Sequence, residues 1–462
     1  MKKYIHFSVS VGLVISSITA NATLTPRIER GDKNVYFTSP NGVEEVCVIP
    51  KHYPEGSYKK KDLKKEEELC SYSFYPLTDQ DRADGKELSY LEPKLNSTNP
   101  GVNIMQSVID KKTQKLEEKK IGKYKNSTSC SYTPSILSYY HISRILGGIA
   151  RVPPSVLRTM NIETHKKIAA EGVAKTKATD LIHQTWTSLQ SFLKPGSSRK
   201  DLLMTDDGLQ SYGAFIVNPK HEAPYKELFT SAKPVTGKEM NMLRAEAFRE
   251  ANDVFKNLKN QSPLEMRISS TWNVDNVQKL LAMRDASEFI LLDHILDQQD
   301  RFGNIAFQTR VAYIEKDDKE AGELNLEWAN DMEEFNEEKA KGQVITTKEP
   351  LMIKSMILKD NDCGVSKTNV VKAAGLLKQV AHMQPKTYKK LVEFSRTIEA
   401  NATFFTSNLF FTANDFKELV VNVKDAAQIL QKNCQSGDLR LDLDLETYLT
   451  DGSVTPASCD VP

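Results

Sequence analysis

Two apolar runs, each ending in an acidic turn, limit what this chain can fold into. Phe289-Ile-Leu-Leu292 leads through Asp293 into a polar turn carrying Asp300, Arg301 and Asn304. Further on, Met356-Ile-Leu358 runs through Lys359 into Asp360-Asn-Asp-Cys-Gly364. Runs this apolar are stable in water only when buried, so each carries its acids to the edge of a core. The bland reading of both is a turn, since Asp and Asn favour turns. With 462 residues and 39% hydrophobic content, the chain has material for one large domain or two lobes. A net charge of +1 gives no global field toward nucleic acid or an anionic membrane.

The N-terminus reads as an export signal. Lys2 and Lys3 precede an apolar stretch over residues 7–18, and Ala20-Asn-Ala22 is a small-x-small cleavage site. The apolar stretch is too short for a membrane span, and no other segment reaches that length. The expected mature protein starts near Thr23, has no integral membrane segment, and is secreted or periplasmic. Cys47, Cys70, Cys130, Cys363, Cys434 and Cys459 form no CxxC pair, which argues against zinc. In an oxidising compartment they pair. Proximity suggests Cys47–Cys70 and Cys434–Cys459, leaving Cys130–Cys363.

Residues 23–100 read as strand-rich, with β-type composition at Asn34-Val-Tyr-Phe37 and Glu45-Val-Cys-Val-Ile49. The lysine- and glutamate-rich residues 59–68 interleave both signs and read as a solvated face, not a nucleic-acid patch. Residues 111–125 read as a charged linker or exposed helix. Residues 135–146 have helical apolar spacing and end at Gly147-Gly148. Residues 161–200, 237–261 and 273–298 read as helices, and Tyr212-Gly-Ala-Phe-Ile-Val217 as a strand. An amphipathic helix is expected around Trp328 and Phe335. Residues 366–433 read as mostly helical, with Phe404, Phe405, Phe410 and Phe411 in the core.

Several short motifs, in order, resemble the secretory-pathway kinase family, which includes the Golgi casein kinase, the proteoglycan xylosyl kinase and Four-jointed. They are Tyr140-His-Ile-Ser-Arg-Ile-Leu-Gly147, Arg151-Val-Pro-Pro154 with Arg158, and Gln210-Ser-Tyr-Gly-Ala-Phe-Ile-Val217, which is similar to the hinge strand. Asp293 precedes Asp300-Arg301 as the family's acid precedes its catalytic pair, and Ile357-Leu-Lys-Asp-Asn361 with Gly364 resembles its metal strand. Agreement of several motifs is more specific than any one alone. The resemblance spans roughly residues 130–400. It implies an α+β, protein-kinase-like two-lobe fold with a mostly helical C-lobe. The implied divisions are a signal peptide over 1–22, an N-terminal extension and N-lobe over 23–210, a C-lobe over 211–433 and a tail over 434–462. Residues 306–350 would be an acidic insertion, in which Asp317-Asp318 are solvated.

The same resemblance assigns roles. Asp300 would meet the substrate hydroxyl, and Asp360 would hold Mg or Mn against the phosphates of ATP. Asn304 would be a second metal ligand, although it lies one residue closer to Asp300 than is usual. Asp293 is a structural acid bound to the catalytic loop, and His141, Arg144 and Arg158 are packing or ion-pairing residues. The family's helix glutamate falls at Ile136, beside Ser135 and Leu137. Its strand lysine falls at Glu92 in Tyr90-Leu-Glu-Pro-Lys94, which leaves Lys94 as the candidate for the phosphates. Three functions stay open: a kinase acting on a protein or sugar hydroxyl, a pseudokinase binding scaffold, and a nucleotidyl transferase. A host compartment would supply the ATP that an exported protein lacks.

Overall fold

Val46 and Val48 enter one hydrophobic core while Cys47 and Ile49 enter another. That period of two runs through the sheet that forms the first half of the protein. The computed structural model describes residues 33–110, 113–128, 130–197, 200–219, 221–225, 272–301, 304–316, 324–342, 348–445 and 456–461. The expected signal over 1–22, the helix over 237–261 and the Asp317-Asp318 pair lie outside them.

Strands β1 (Lys33–Thr38) and β2 (Glu44–Ile49) form a hairpin, and a small pairing joins β3 (Tyr72–Ser73) to β4 (Glu87–Leu88). Then come β5 (Tyr90–Pro93), β6 (Val102–Ile109), β7 (Leu116–Lys125), β8 (Ser155–Asn161) and β9 (Gln210–Val217). They assemble with the first hairpin into a seven-stranded antiparallel sheet of order β1-β2-β8-β9-β7-β6-β5. Helix α1 (Lys60–Ser71) is tied to β2 by Cys47–Cys70, with Cα atoms 5.5 Å apart. Helix α2 (Thr133–Ile145), buried along its whole length, lies between this sheet and the helical half. Helices α3 (Ile162–Ala174) and α4 (Leu181–Phe192) cover the other face. They cross so closely that a Cβ on Gly172 would lie 2.5 Å from the Trp186 ring.

The second half is built on α5 (Val274–Ile295), which is buried almost continuously from Asp285 onward. Around it lie α7 (Pro385–Thr397) and α8 (Ala413–Ser436), with α6 (Met332–Ala340) at the periphery. A four-stranded sheet sits beside α5. Strand β11 (Ile305–Lys316) pairs with β13 (Leu351–Leu358) along one edge, and with β10 (Ala223–Pro224) and β12 (Leu324–Ala329) along the other. This α+β division into a sheet-rich half and a mostly helical half matches the expectation. Phe404, Phe405, Phe410 and Phe411 are in the core. Among the described residues, no helix is long and apolar enough to cross a membrane.

Several expectations need correction. The charged residues 111–125, expected as linker or helix, form β7. Its first half runs out with β6 as a hairpin whose side chains stay wet, so charge is tolerated there; only its end, Gly122 to Lys125, enters the core. Gly122 is needed because a Cβ would meet the Phe215 ring at 2.3 Å. The expected helix over 161–200 is two helices, divided at Lys175 and restarted with Asp180 as N-cap. Trp328 lies in β12, and the helix begins beyond it. The residues expected to open an insertion at 306 include the buried Ala306, Val311 and Ala312 of β11, because β13 needs a hydrogen-bonded neighbour. The boundary drawn at residue 210 falls inside the protein's sheet, since β9 pairs with both β7 and β8.

The residues read as structural are so. His141 is buried with Tyr58 Oη 2.7 Å from its Nδ1, and burial drives its pKa well below the usual value. Arg144 is paired with Asp62 through two bonds of 2.9 Å. Arg158 donates to the Tyr72 carbonyl and stacks over Phe37 and Phe74.

Candidate functional site

The buried end of α5 delivers Asp293 into the interior, where it is fully buried. Such an acid must be paired and hydrogen-bonded. Arg301 supplies a two-pronged contact, Nε to Oδ2 at 2.8 Å and a terminal nitrogen to Oδ1 at 2.9 Å. Tyr139 of α2 adds its hydroxyl to Oδ1 at 2.7 Å. Arg301 reaches further, to the Lys359 carbonyl at 2.7 Å and Asn361 Oδ1 at 2.8 Å. One guanidinium therefore joins the turn that carries Asp300 to the turn that carries Asp360.

The turn after β13 is held from the other side by α2. Ser135 Oγ donates to the Asn361 carbonyl at 2.7 Å and accepts from the Gly364 amide at 3.0 Å. A Cβ on Gly364 would lie 2.6 Å from the Leu296 carbonyl, so only glycine fits this approach. The Tyr132 amide donates to the Asp362 carbonyl at 2.8 Å. Cys130 and Cys363 are bonded, with Cα atoms 5.1 Å apart. Cys434–Cys459 completes the three cystines, the two that proximity suggested and the one they left, and such a set suits an oxidising compartment.

Into this junction comes Lys125, the last residue of β7. Its ammonium lies 2.8 Å from Asp362 Oδ2 and 3.4 Å from Asp360 Oδ1. Burial opposes its charge, but the two carboxylates outweigh burial and push its pKa up. Asp360 has a left-handed backbone, with φ of 49°. Burial would raise its pKa, yet Lys125, Lys123, Lys94 and Lys359 together hold the carboxyl well below the usual range. Lys94 follows β5 and donates to Ser97 Oγ at 3.2 Å. Burial, with Lys125 beside it, lowers Lys94 to about 7. Burial and Lys123 lower Lys120 to about 8. Several lysines thus converge on Asp360, and burial, with a neighbouring lysine, lowers two of them, Lys94 and Lys120; such a cluster favours a polyanion.

Asp300 is half-buried, and its amide donates to Gln298 Oε1 at 3.0 Å. Asn304 turns its side-chain amide back onto the Asp300 carbonyl at 2.8 Å. Arg301 therefore ties the turn that bears Asp300 and Asn304 to the turn that bears Asp360, and Lys94 acts on Asp360 through its charge. Among the described residues, no group of three or more His, Cys, Asp or Glu is arranged to cage a metal. Mg or Mn needs no such cage beside phosphates, because one or two carboxylates suffice when phosphate and water oxygens complete the shell. A half-buried Asp360 at a lysine-rich junction fits that kind of site.

No protein-family model matches the chain, and no curated protein does. Among solved structures it is similar to the Golgi casein kinase, at 12% identity and a TM-score of 0.40, over 82% of this chain and 78% of that one. The Golgi casein kinase with Mn and ADP bound is also similar, at 12% identity and a TM-score of 0.36, over 80% and 76% of the two chains. What the site can do rests on its own residues.

Three of those residues were not picked out from the sequence. Lys125 was hidden in a stretch whose other lysines are solvated, although Ile121-Gly-Lys-Tyr-Lys125 carries the alternation of a strand entering a core. Asp362 stands two positions from Asp360, and nothing local in the sequence separates the roles of the two acids. Ser135 carries no local signal of its role, because its contacts, to Asn361 and Gly364, are long-range.

Proposed function

We propose that this protein binds ATP with Mg or Mn between its sheet and its helical half, and transfers the terminal phosphoryl group to a protein or sugar hydroxyl. The observation that carries the reading is Lys125, buried at a strand end and shared between Asp360 and Asp362. Phosphoryl transfer asks a protein chiefly to position groups and neutralise charge, and this junction has the parts for both. Lys125 would hold the inner phosphates, with Lys94, Lys120 and Lys123 adding charge at the entrance. Asp360 would be the acidic ligand of the cation, which when bound neutralises charge on the phosphates. Asp300 would accept the proton from the acceptor hydroxyl as its oxygen bonds to the terminal phosphorus and ADP departs. Arg301 would keep Asp300 and Asp360 in register. Acting in an ATP-containing host compartment would reconcile this chemistry with export.

A second reading, a nucleotide-binding scaffold without transfer, is favoured by one observation: α2 presents Ser135, and no carboxylate, toward the acid turn. A thermal-shift panel of ATP, GTP and ADP with Mg and Mn tests the binding claim, since a ligand selective for the native state raises apparent stability. Transfer is then followed with labelled ATP. The proposal expects a metal-dependent shift, and an Asp300→Ala variant that keeps the shift but loses transfer. No shift with any nucleotide refutes it, and a shift without transfer in the wild type leaves the scaffold reading.

A further inference from the structure

We propose that Asp362 is the positioning residue for Lys125, supplying from the acid turn the carboxylate that α2 does not supply. In kinases the strand lysine works only when an ion pair with a helix glutamate holds it toward the phosphates. This inference rests on the nucleotide reading above and assigns one residue within it.

The two acids beside Lys125 are not equivalent. Asp362 is the nearer, at 2.8 Å against 3.4 Å for Asp360. The Asp362 side chain is 4% exposed, as is that of Lys125, whereas Asp360 is 28% exposed. Asp362 is also the more firmly fixed. Its carbonyl accepts from the Tyr132 amide, and the next residue is bonded to Cys130, so the segment leading into α2 holds it at two points. Gln299, from the turn before Asp300, donates its amide to the Cys363 carbonyl at 3.1 Å, which ties the same segment to the helical half.

Helix α2 cannot do this work. Ser135 Oγ is committed to Asn361 and Gly364, and Ile136 is 3% exposed within the hydrophobic core. The helix instead holds the backbone of the turn that bears the substitute acid. Two neighbouring acids then divide two tasks. Asp360, with its left-handed backbone, longer contact to Lys125 and partly exposed carboxylate, can turn to a cation. Asp362 stays on Lys125 and keeps the ammonium in place when Asp360 leaves it.

A double-mutant cycle on Asp362→Asn and Lys125→Met tests this, because coupling separates a residue acting through Lys125 from one acting elsewhere. Affinity for ATP with Mn is measured by calorimetry. Removing such a supporting partner should weaken binding about 10- to 100-fold. In the Lys125→Met background, Asp362→Asn should cost little more. The cycle is also read on thermal unfolding without ligand, where the double variant should lose less than the sum of the singles. Non-reducing peptide maps confirm that all three cystines persist. Asp362→Asn binding as the wild type does, or losing as much with Met at position 125, overturns the assignment, as do additive losses of stability. A wild type that binds no nucleotide overturns the functional reading and this inference with it. That pattern differs from a binding wild type with an unaffected variant.

Discussion

Replacing Arg301 by methionine probes the clamp on which the site depends. The guanidinium is fully buried and makes two bonds to Asp293, one to the Lys359 carbonyl and one to Asn361 Oδ1. Methionine fills much of the volume but makes none of them. Asp293 is left in the interior with the Tyr139 hydroxyl as its remaining partner from this group. Breaking a buried ion pair from one side costs about 3–5 kcal/mol. The orphaned acceptors on Lys359 and Asn361 place the expected loss toward the upper end of that range. Urea unfolding followed by tryptophan fluorescence measures it. Adding Asp293→Leu should recover much of the loss, since well-packed apolar residues can replace a buried pair at little cost. A single variant less stable by under about 1 kcal/mol, or a double variant worse than the single, would refute the clamp.

Three further outcomes follow from the same geometry. Replacing Cys130 and Cys363 together by serine should weaken nucleotide binding by releasing the acid turn from α2, whereas the same change at Cys434 and Cys459 should leave affinity unchanged; equal effects would contradict this. Burial pushes Glu288 up to about 7. The folded state therefore binds this proton more tightly than the unfolded chain does. Its contribution is full below pH ~4.5, falls as pH rises through about 7, and totals about 3 kcal/mol. The urea stability of the wild type relative to Glu288→Gln should fall by about that amount between pH 4.5 and 8, and a pH-independent difference would exclude it. In Gly213→Ala, the new Cβ would lie 2.4 Å from the Tyr124 ring and 2.8 Å from the Lys125 carbonyl. Such overpacking should cost about 1–3 kcal/mol and weaken nucleotide binding by shifting Lys125, both measurable by urea titration and calorimetry.

Legibility from sequence followed how local each signal was. The run into Asp293 and the run into Asp360 were visible because burial leaves an apolar trace. The link that Arg301 makes between them, to Lys359 and Asn361, leaves none. The cystines could be paired because two of them close short segments, Cys47 to Cys70 and Cys434 to Cys459. Strand β7 was misread because most of it is a wet hairpin, and a solvated strand rich in lysine has the composition of a linker. The cost of that misreading was Lys125, the residue that carries the functional proposal. The motif points to Lys94 instead, and Lys94 does lie in the electrostatic environment of Asp360. Asp362 was beyond reach, because its task is defined by a lysine distant in sequence and by a helix that lacks an acid.

The most direct test of the central claim is an anomalous difference map from crystals grown with MnCl₂ and a non-hydrolysable ATP analogue. The account predicts one manganese peak at direct-ligand distance from the Asp360 carboxylate, with the inner phosphates on Lys125 and Lys125 still bonded to Asp362. Manganese and nucleotide bound elsewhere, or an unchanged Lys125–Asp360 contact with no nucleotide density under saturating conditions, would contradict it.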